Sequence, residues 1–257
     1  MKILILGGGI AAHRYVESLL WTPHEVFICG FDIKGQSKRL SNDYSLPYTL
    51  FFDLSEYDIN DFETIIACVA LTDKYKIIYR LINDLKYNNC IIIEKPLSIY
   101  MNELESYYNL LSPLKSYAVV CQRDFAASNY KILISDMYNI TWLSITDDIF
   151  SNMINMLPHL LSWLILEIGD DIKLNVVDNE LHGTICNKRL YIRFEKSSNN
   201  RVIINNTVYE TPNYRLINSK VADIVYSFSK NDSIINLNRA IAVSKIVSKL
   251  VEESHNV

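Results

Sequence analysis

Three of the chain's seven glycines fall in one turn near its start. Lys2-Ile-Leu-Ile-Leu runs into Gly7-Gly8-Gly9-Ile10-Ala11-Ala12, which fits the spacing G-x-G-x-x-[GA] at Gly7, Gly9 and Ala12. Gly7 permits a tight turn from strand to helix, Gly9 lets the backbone approach a pyrophosphate, and Ala12 keeps the helix close to the sheet. The free N–H groups of the first helical turn, from Ile10 onward, attract the anion. Farther on, Asp32 stands where an acidic side chain would hold an adenosine ribose. Lys38 follows it closely, with Ser37 and Arg39, and could hold a 2′-phosphate instead. The choice between NAD and NADP therefore stays open. The competing reading of the glycines is a purely structural turn.

A second cluster is Ile91-Ile92-Ile93-Glu94-Lys95-Pro96. A strand ending in Glu-Lys-Pro delivers these residues to the carboxyl edge of a parallel sheet, where open α/β sheets bind ligands. A lysine at Lys95, beside a nicotinamide, could move a proton or orient the ring. Pro96 fixes the backbone after it and could be cis. A third pair is Asn155 and His159, four apart in an apolar run that reads as one helix over 154–168, so both face the same way. Asn155 can hydrogen-bond but cannot act as a base. Read alone, Glu-Lys-Pro is also an ordinary surface tripeptide, and His159 an ordinary packed histidine.

Other groups suggest no metal. Cys29, Cys68, Cys90, Cys121 and Cys186 are scattered, with no CxxC pair, so neither a zinc site nor a disulfide framework is expected. His182 and His255 have no partners in sequence. The thiols suit a reducing compartment, and no segment reaches the roughly 20 apolar residues needed to span a bilayer. These features predict a cytoplasmic protein that does not enter membranes. The chain has 257 residues and a formal net charge of −4, which argues against nucleic acid as its main partner.

The elements that must position these residues alternate through the first half. Strands are predicted at 2–6, 25–29, 48–52, 64–69, 90–93 and 117–121, with helices at 11–21, after Thr72 and after Asn102. Fully apolar strands alternating with helices mean a parallel sheet covered on both faces. From about residue 124 the pattern changes. A helix is expected over 128–137, a strand over 140–146, and then short extended runs between 172 and 210. Asp178-Asn179, Asn187-Lys188 and Asn205-Asn206 mark the turns between those runs. This reads as a largely antiparallel meander. The expected fold is α/β: a Rossmann-like doubly wound sheet over 1–121, then a smaller α+β domain over 122–257 with an open, mostly antiparallel sheet. The closing helix, 237–253, is expected to pack back on the first domain.

Taken together, the glycine turn, Glu94-Lys95-Pro96, the embedded His159 and the β-rich second half resemble the Gfo/Idh/MocA oxidoreductase family. The resemblance covers essentially the whole chain and is most specific at Gly7–Ala12 and Glu94–Pro96. It implies a hydride-transferring enzyme that uses NAD or NADP on a carbonyl, imine or carbinol carbon of a small molecule, often a sugar or sugar nucleotide. It places Lys95 near the reacting centre and gives His159 a catalytic role, with Glu94, Pro96 and Thr72 beside the cofactor. Arg123 would touch the substrate. The family's Asp-x-x-x-His pattern appears here as Asn155…His159, so the usual acidic partner is replaced by an amide at the substrate. A second departure is size, since members commonly exceed 300 residues. These departures motivate an alternative, a non-catalytic dinucleotide-binding regulatory or scaffold subunit. The open second sheet would make a homo-oligomer face.

Overall fold

The structure is a computed structural model and describes residues 1–126, 131–198, 201–210 and 213–255. The first half carries β1 (Lys2–Leu6), α1 (Ile10–Leu19), β2 (Glu25–Gly30), α2 (Gln36–Asp43), β3 (Tyr48–Leu50) and β4 (Thr64–Ala67). Then come α3 (Lys74–Tyr79), β5 (Cys90–Glu94), α4 (Met101–Leu104), α5 (Ser106–Leu111), β6 (Ser116–Val120) and α6 (Gln122–Ala126). The second half holds β7 (Met137–Ser144), α7 (Ile149–Asn155), α8 (Leu157–Glu167), β8 (Ile172–Val177), β9 (Glu180–Ile185) and β10 (Lys188–Lys196). It ends with β11 (Arg201–Ile204), β12 (Thr207–Glu210), α9 (Tyr214–Tyr226) and α10 (Lys230–His255).

The chain divides into two units, each built from separated segments. Unit 1 comprises Met1–Ser98, Asn102–Val120 and Asn213–Asn238; unit 2 comprises Ile99–Met101, Cys121–Pro212 and Arg239–Val257. This differs from a single boundary near 121. The helix expected over 237–253 starts earlier, at Lys230, and its part from Arg239 belongs to unit 2. The reason is its apolar face: Val243, Val247, Leu250 and Val251 are buried in the core cluster of unit 2.

Unit 1 is a parallel six-stranded sheet in the order β3-β2-β1-β4-β5-β6. β1, β4, β5 and β6 are buried almost throughout, as strands covered on both faces must be. The sheet register sets Cys29, Leu6, Ala67, Ile93 and Val119 side by side in one row. The residues that follow each of them therefore leave the sheet together at its carboxyl edge. Two local expectations change. The third strand stops at Leu50, and Phe51–Glu56 forms a 3-10 helix. Thr72 is not the cap of the next helix: α3 begins at Lys74, and the Thr72 hydroxyl bonds the Asp73 carboxylate at 3.4 Å. A π-helical turn over Arg80–Asp84 then extends α3.

Unit 2 carries a sheet in the order β12-β11-β7-β10-β9-β8. Only the β10–β7 pair is parallel. Three two-residue hairpins join its strands with left-handed backbone at both turn residues: Asp178-Asn179, Cys186-Asn187 and Asn205-Asn206. That is the twist-matched hairpin geometry, and asparagine tolerates it well. The middle turn lies one residue earlier than expected, because Ile185 pairs with Lys188. The helix expected over 128–137 does not form where it is described: 131–135 is irregular and Met137 opens β7, while 128–130 lie outside the described residues.

The single helix expected over 154–168 is two. α7 ends at Asn155 and α8 starts at Leu157, bent by 54°. Pro158 explains the break. It has no N–H to donate, and its ring clashes with the carbonyl four residues back, so it fits only the first turn of a new helix. Among the described residues no single helix is long and apolar enough to cross a membrane, although the two helices of this bent pair are so together. Most of α8 is buried in the core of unit 2, with Trp163, Leu160, Leu161 and Leu164 fully enclosed.

Candidate functional site

Unit 1 gathers its chemistry at the carboxyl edge of its sheet, where the strand order reverses between β1 and β4. Gly7 leaves β1 with φ +102°, and a Cβ there would lie 2.3 Å from the Cys68 carbonyl oxygen. Only glycine tolerates both constraints. Gly8 is as tightly held, with the Ser37 backbone nitrogen 2.2 Å from any Cβ. Gly9 differs. It caps α1 in an extended conformation, no side chain caps that helix end, and a Cβ would meet nothing within 4 Å. The N–H groups of the first turn of α1 thus border open space, as an anion cradle requires. Ile10 is 75% exposed beside it, whereas Ala12 is fully buried against the sheet. These positions fit a pyrophosphate.

Asp32 follows β2 at the same edge and is exposed. Its carboxylate accepts the Lys34 N–H at 2.8 Å, and its carbonyl accepts the Tyr48 hydroxyl at 2.8 Å. Lys38 lies on α2 with its ammonium 4.8 Å from the centre of the Tyr48 ring. Phe31, the residue before Asp32, lines a cavity of about 480 Å³ together with Phe51, Phe52, Val69, Asp73 and Arg80 among others. The Arg80 guanidinium stands 5.3 Å from both the Phe51 and Phe52 rings. A flat aromatic ring suits such walls. Neither Phe51 nor Arg80 stood out in the sequence, since their roles depend on the 3-10 helix after β3. Thr72 is exposed on the β4–α3 connection.

Glu94 ends β5, which β4 separates from β1 and its glycine turn, and the Lys95–Pro96 peptide that follows is cis. Glu94 is buried. Burial pushes its carboxyl above the ordinary value, while Lys95, the Tyr15 hydroxyl, Lys74 and Arg14 pull it back. Lys95 itself is half-buried. Beneath the turn lies Lys74, whose ammonium donates to the Glu94 carbonyl at 2.5 Å and to the Pro96 carbonyl. The sequence held one signal for it: Lys74 falls four residues before Ile78, on the buried face of α3.

The remaining candidates belong to unit 2. Arg123 is 3% exposed, with its guanidinium 5.0 Å from the Trp142 ring and 5.1 Å from the Trp163 ring. Next to it, Asp124 accepts the Ser162 hydroxyl at 2.7 Å and pairs with Arg239 at 3.4 Å. Burial pushes the Asp124 carboxyl up to about 6, against the opposing pull of Arg239 and Ser162. His159 is buried in the first turn of α8. Asn155 is exposed at the end of α7, where its amide reaches the Ser151 hydroxyl at 3.4 Å. The shared helix face expected for Asn155 and His159 does not exist, because the break at Met156 separates them. No metal-binding cluster occurs among the described residues.

No family model and no curated protein sequence matches the chain. Solved structures do match it in shape. A myo-inositol dehydrogenase from Corynebacterium glutamicum is 10% identical, with a TM-score of 0.72 over 100% of this chain and 97% of its own. An oxidoreductase from Agrobacterium radiobacter, in complex with NAD+, L-tartaric acid and magnesium, is 11% identical with a TM-score of 0.71, covering 100% and 96%. A Gfo/Idh/MocA family oxidoreductase from Vibrio cholerae is 12% identical with a TM-score of 0.69, covering 100% and 98%. At this level of identity the likeness is one of fold. The chain shares the fold of these structures, the Gfo/Idh/MocA family oxidoreductase among them, over its whole length.

Proposed function

We propose that unit 1 binds a nicotinamide dinucleotide, NAD or NADP, and that the chain is an oxidoreductase acting on a carbonyl, imine or carbinol carbon of a small molecule. Sugars, sugar nucleotides and biosynthetic intermediates are the substrate class in view. The observation that carries this is Gly9: an extended, uncapped helix start with open space where any larger side chain would project. The first turn of α1 donates to the pyrophosphate, and Gly7 makes that turn possible. Asp32 meets the ribose hydroxyls of NAD, or Lys38 the 2′-phosphate of NADP, and the cavity between Phe31, Phe51 and Arg80 takes the adenine. Thr72, Glu94 and Pro96 line the cofactor's other side. A bound nicotinamide supplies or accepts the hydride. Lys95 gives a proton to the substrate oxygen or nitrogen in reduction and takes it back in oxidation. His159 is the second acid–base candidate, and Arg123 and Asn155 are kept as substrate ligands.

Thermal unfolding with NAD, NADH, NADP and NADPH in separate samples tests this. A ligand at 100 times its Kd stabilises by about 2.7 kcal/mol. For a chain of this size that is a shift of roughly 5–10 °C. A shift with one pair supports the reading and chooses between Asp32 and Lys38. No shift with any of the four overturns it.

One observation favours a second reading. Asn155 is exposed, cannot act as a base and sits on a different helix from His159. A dinucleotide-binding regulatory or scaffold subunit would need no such pair. Lys95→Ala separates the two: turnover lost with binding intact supports the enzyme, while wild-type protein that turns over no carbonyl, imine or alcohol substrate supports the subunit. We also propose that the chain forms a homo-oligomer through the outer face of the unit 2 sheet.

A further inference from the structure

Among the described residues, Lys74 is the one buried lysine, with 2% of its surface exposed. Removing an ammonium from water is costly unless polar groups replace the water. The replacements include two backbone carbonyls, those of Glu94 and Pro96, and the Glu94 carboxyl is close enough to interact with its charge. The two carbonyls belong to the residues on either side of Lys95. One ammonium therefore holds the three-residue turn at both ends, and the residue between them is the one read above as the proton carrier. A methionine at this position would fill the volume equally well and serve the core better. What lysine adds is a donor with enough reach for both carbonyls. Its place on the chain makes this possible, since the first turn of α3 follows β4, the strand paired with β5.

We propose that Lys74 is a positioning residue: by tying together the carbonyls of Glu94 and Pro96 it fixes the backbone from which Lys95 projects. Without it, the turn relaxes at both ends and the Lys95 amine loses a single location. The catalytic meaning of this rests on the role given to Lys95 above; the positioning itself does not.

The test is competitive labelling of the full-length, ligand-free protein with acetic anhydride across a pH series, read for each lysine by mass spectrometry. In wild-type protein Lys74 should label at least tenfold more slowly than Lys95. In Lys74→Met the Lys95 rate-against-pH curve should move by at least threefold, and Lys74→Gln, which keeps a donor without the charge, should fall between. Lys74→Arg, which keeps charge and several donors, should stay nearest to wild type and serves where Met does not fold. The inference is overturned if Lys74 labels as fast as Lys95 in wild type, or if Lys95 keeps its wild-type curve in the folded variants while only the melting temperature falls. With a substrate in hand, Lys74→Gln should lower kcat about tenfold and leave the KM for the dinucleotide within twofold. If no dinucleotide stabilises the protein yet the Lys95 curve moves, the positioning stands and the oxidoreductase reading fails. If dinucleotide binds and the curve does not move, the reverse holds.

Discussion

Gly7 and Gly9 sit two residues apart and face opposite constraints. Gly7 is needed by the protein itself, since its φ is +102° and the Cys68 carbonyl occupies the space of any Cβ. Gly9 has no neighbour to clash with. Gly7→Val should therefore fail to give folded protein, judged by expression and circular dichroism. Gly9→Val should keep the wild-type melting temperature to within a few degrees and lose the stabilisation by dinucleotide. Asp124 makes a second residue-scale prediction. Its folded-state carboxyl is raised from the usual carboxylate range to about 6, so the native state holds its proton longer than the unfolded chain does. Its contribution is then greatest below about pH 4 and is lost as pH rises towards 6, a change of about 3 kcal/mol. Urea midpoints at intervals from pH 4 to 7 should show that fall in wild type and a flatter profile in Asp124→Asn. The glycines and Glu94–Pro96 were legible because their meaning lies in local spacing. Lys74 and the packing of Arg123 between two tryptophans were not, since each depends on which distant backbone or ring comes to meet it.

Among elements, β6 is an edge strand, and unpaired edges invite aggregation. Here α10 covers it with side chains. Ser233 accepts the Tyr117 N–H at 3.1 Å, Asn236 accepts the Val119 N–H at 2.7 Å, and the Asn236 amide returns a bond to the Val119 carbonyl at 3.4 Å. Asn236→Leu should cost about 1–3 kcal/mol, since it strands a buried donor. Amide hydrogen exchange at Val119 should speed up with it. The hairpins of the second sheet were readable to within a residue because alternating apolar runs and an asparagine in each turn leave few alternatives. The long helix over 154–168 misled because its apolar residues keep the helical period straight through Pro158. The missing N–H at one residue outweighed the pattern of fourteen others.

At the scale of the whole molecule, the outer face of the unit 2 sheet is the surface through which copies of the chain are proposed to assemble. Tyr138, Ile140 and Trp142 turn inward to the core, while Met137, Asn139 and Thr141 line a shallow concavity of about 660 Å³ with Tyr191, Arg193 and Ile203. If a second copy covers this face, sedimentation equilibrium should give a dimer, and Ile203→Arg should return monomers with an unchanged circular dichroism spectrum. A wild-type monomer would remove the proposal. The alternating strands and helices foretold the first sheet, but nothing in local sequence foretold that Asn213–Asn238 would join it. That return has a consequence for how the protein is made. A ribosome delivers all six strands of the first sheet by Val120, yet the residues that seal its edge, Ser233 and Asn236, are translated more than a hundred codons later. The nascent sheet must wait with β6 uncovered while Cys121–Pro212, the larger part of the other unit, is synthesised. Fragments ending near residue 121 should accordingly be recovered in inclusion bodies, whereas co-expressing a peptide of 213–238 should rescue them into the soluble fraction.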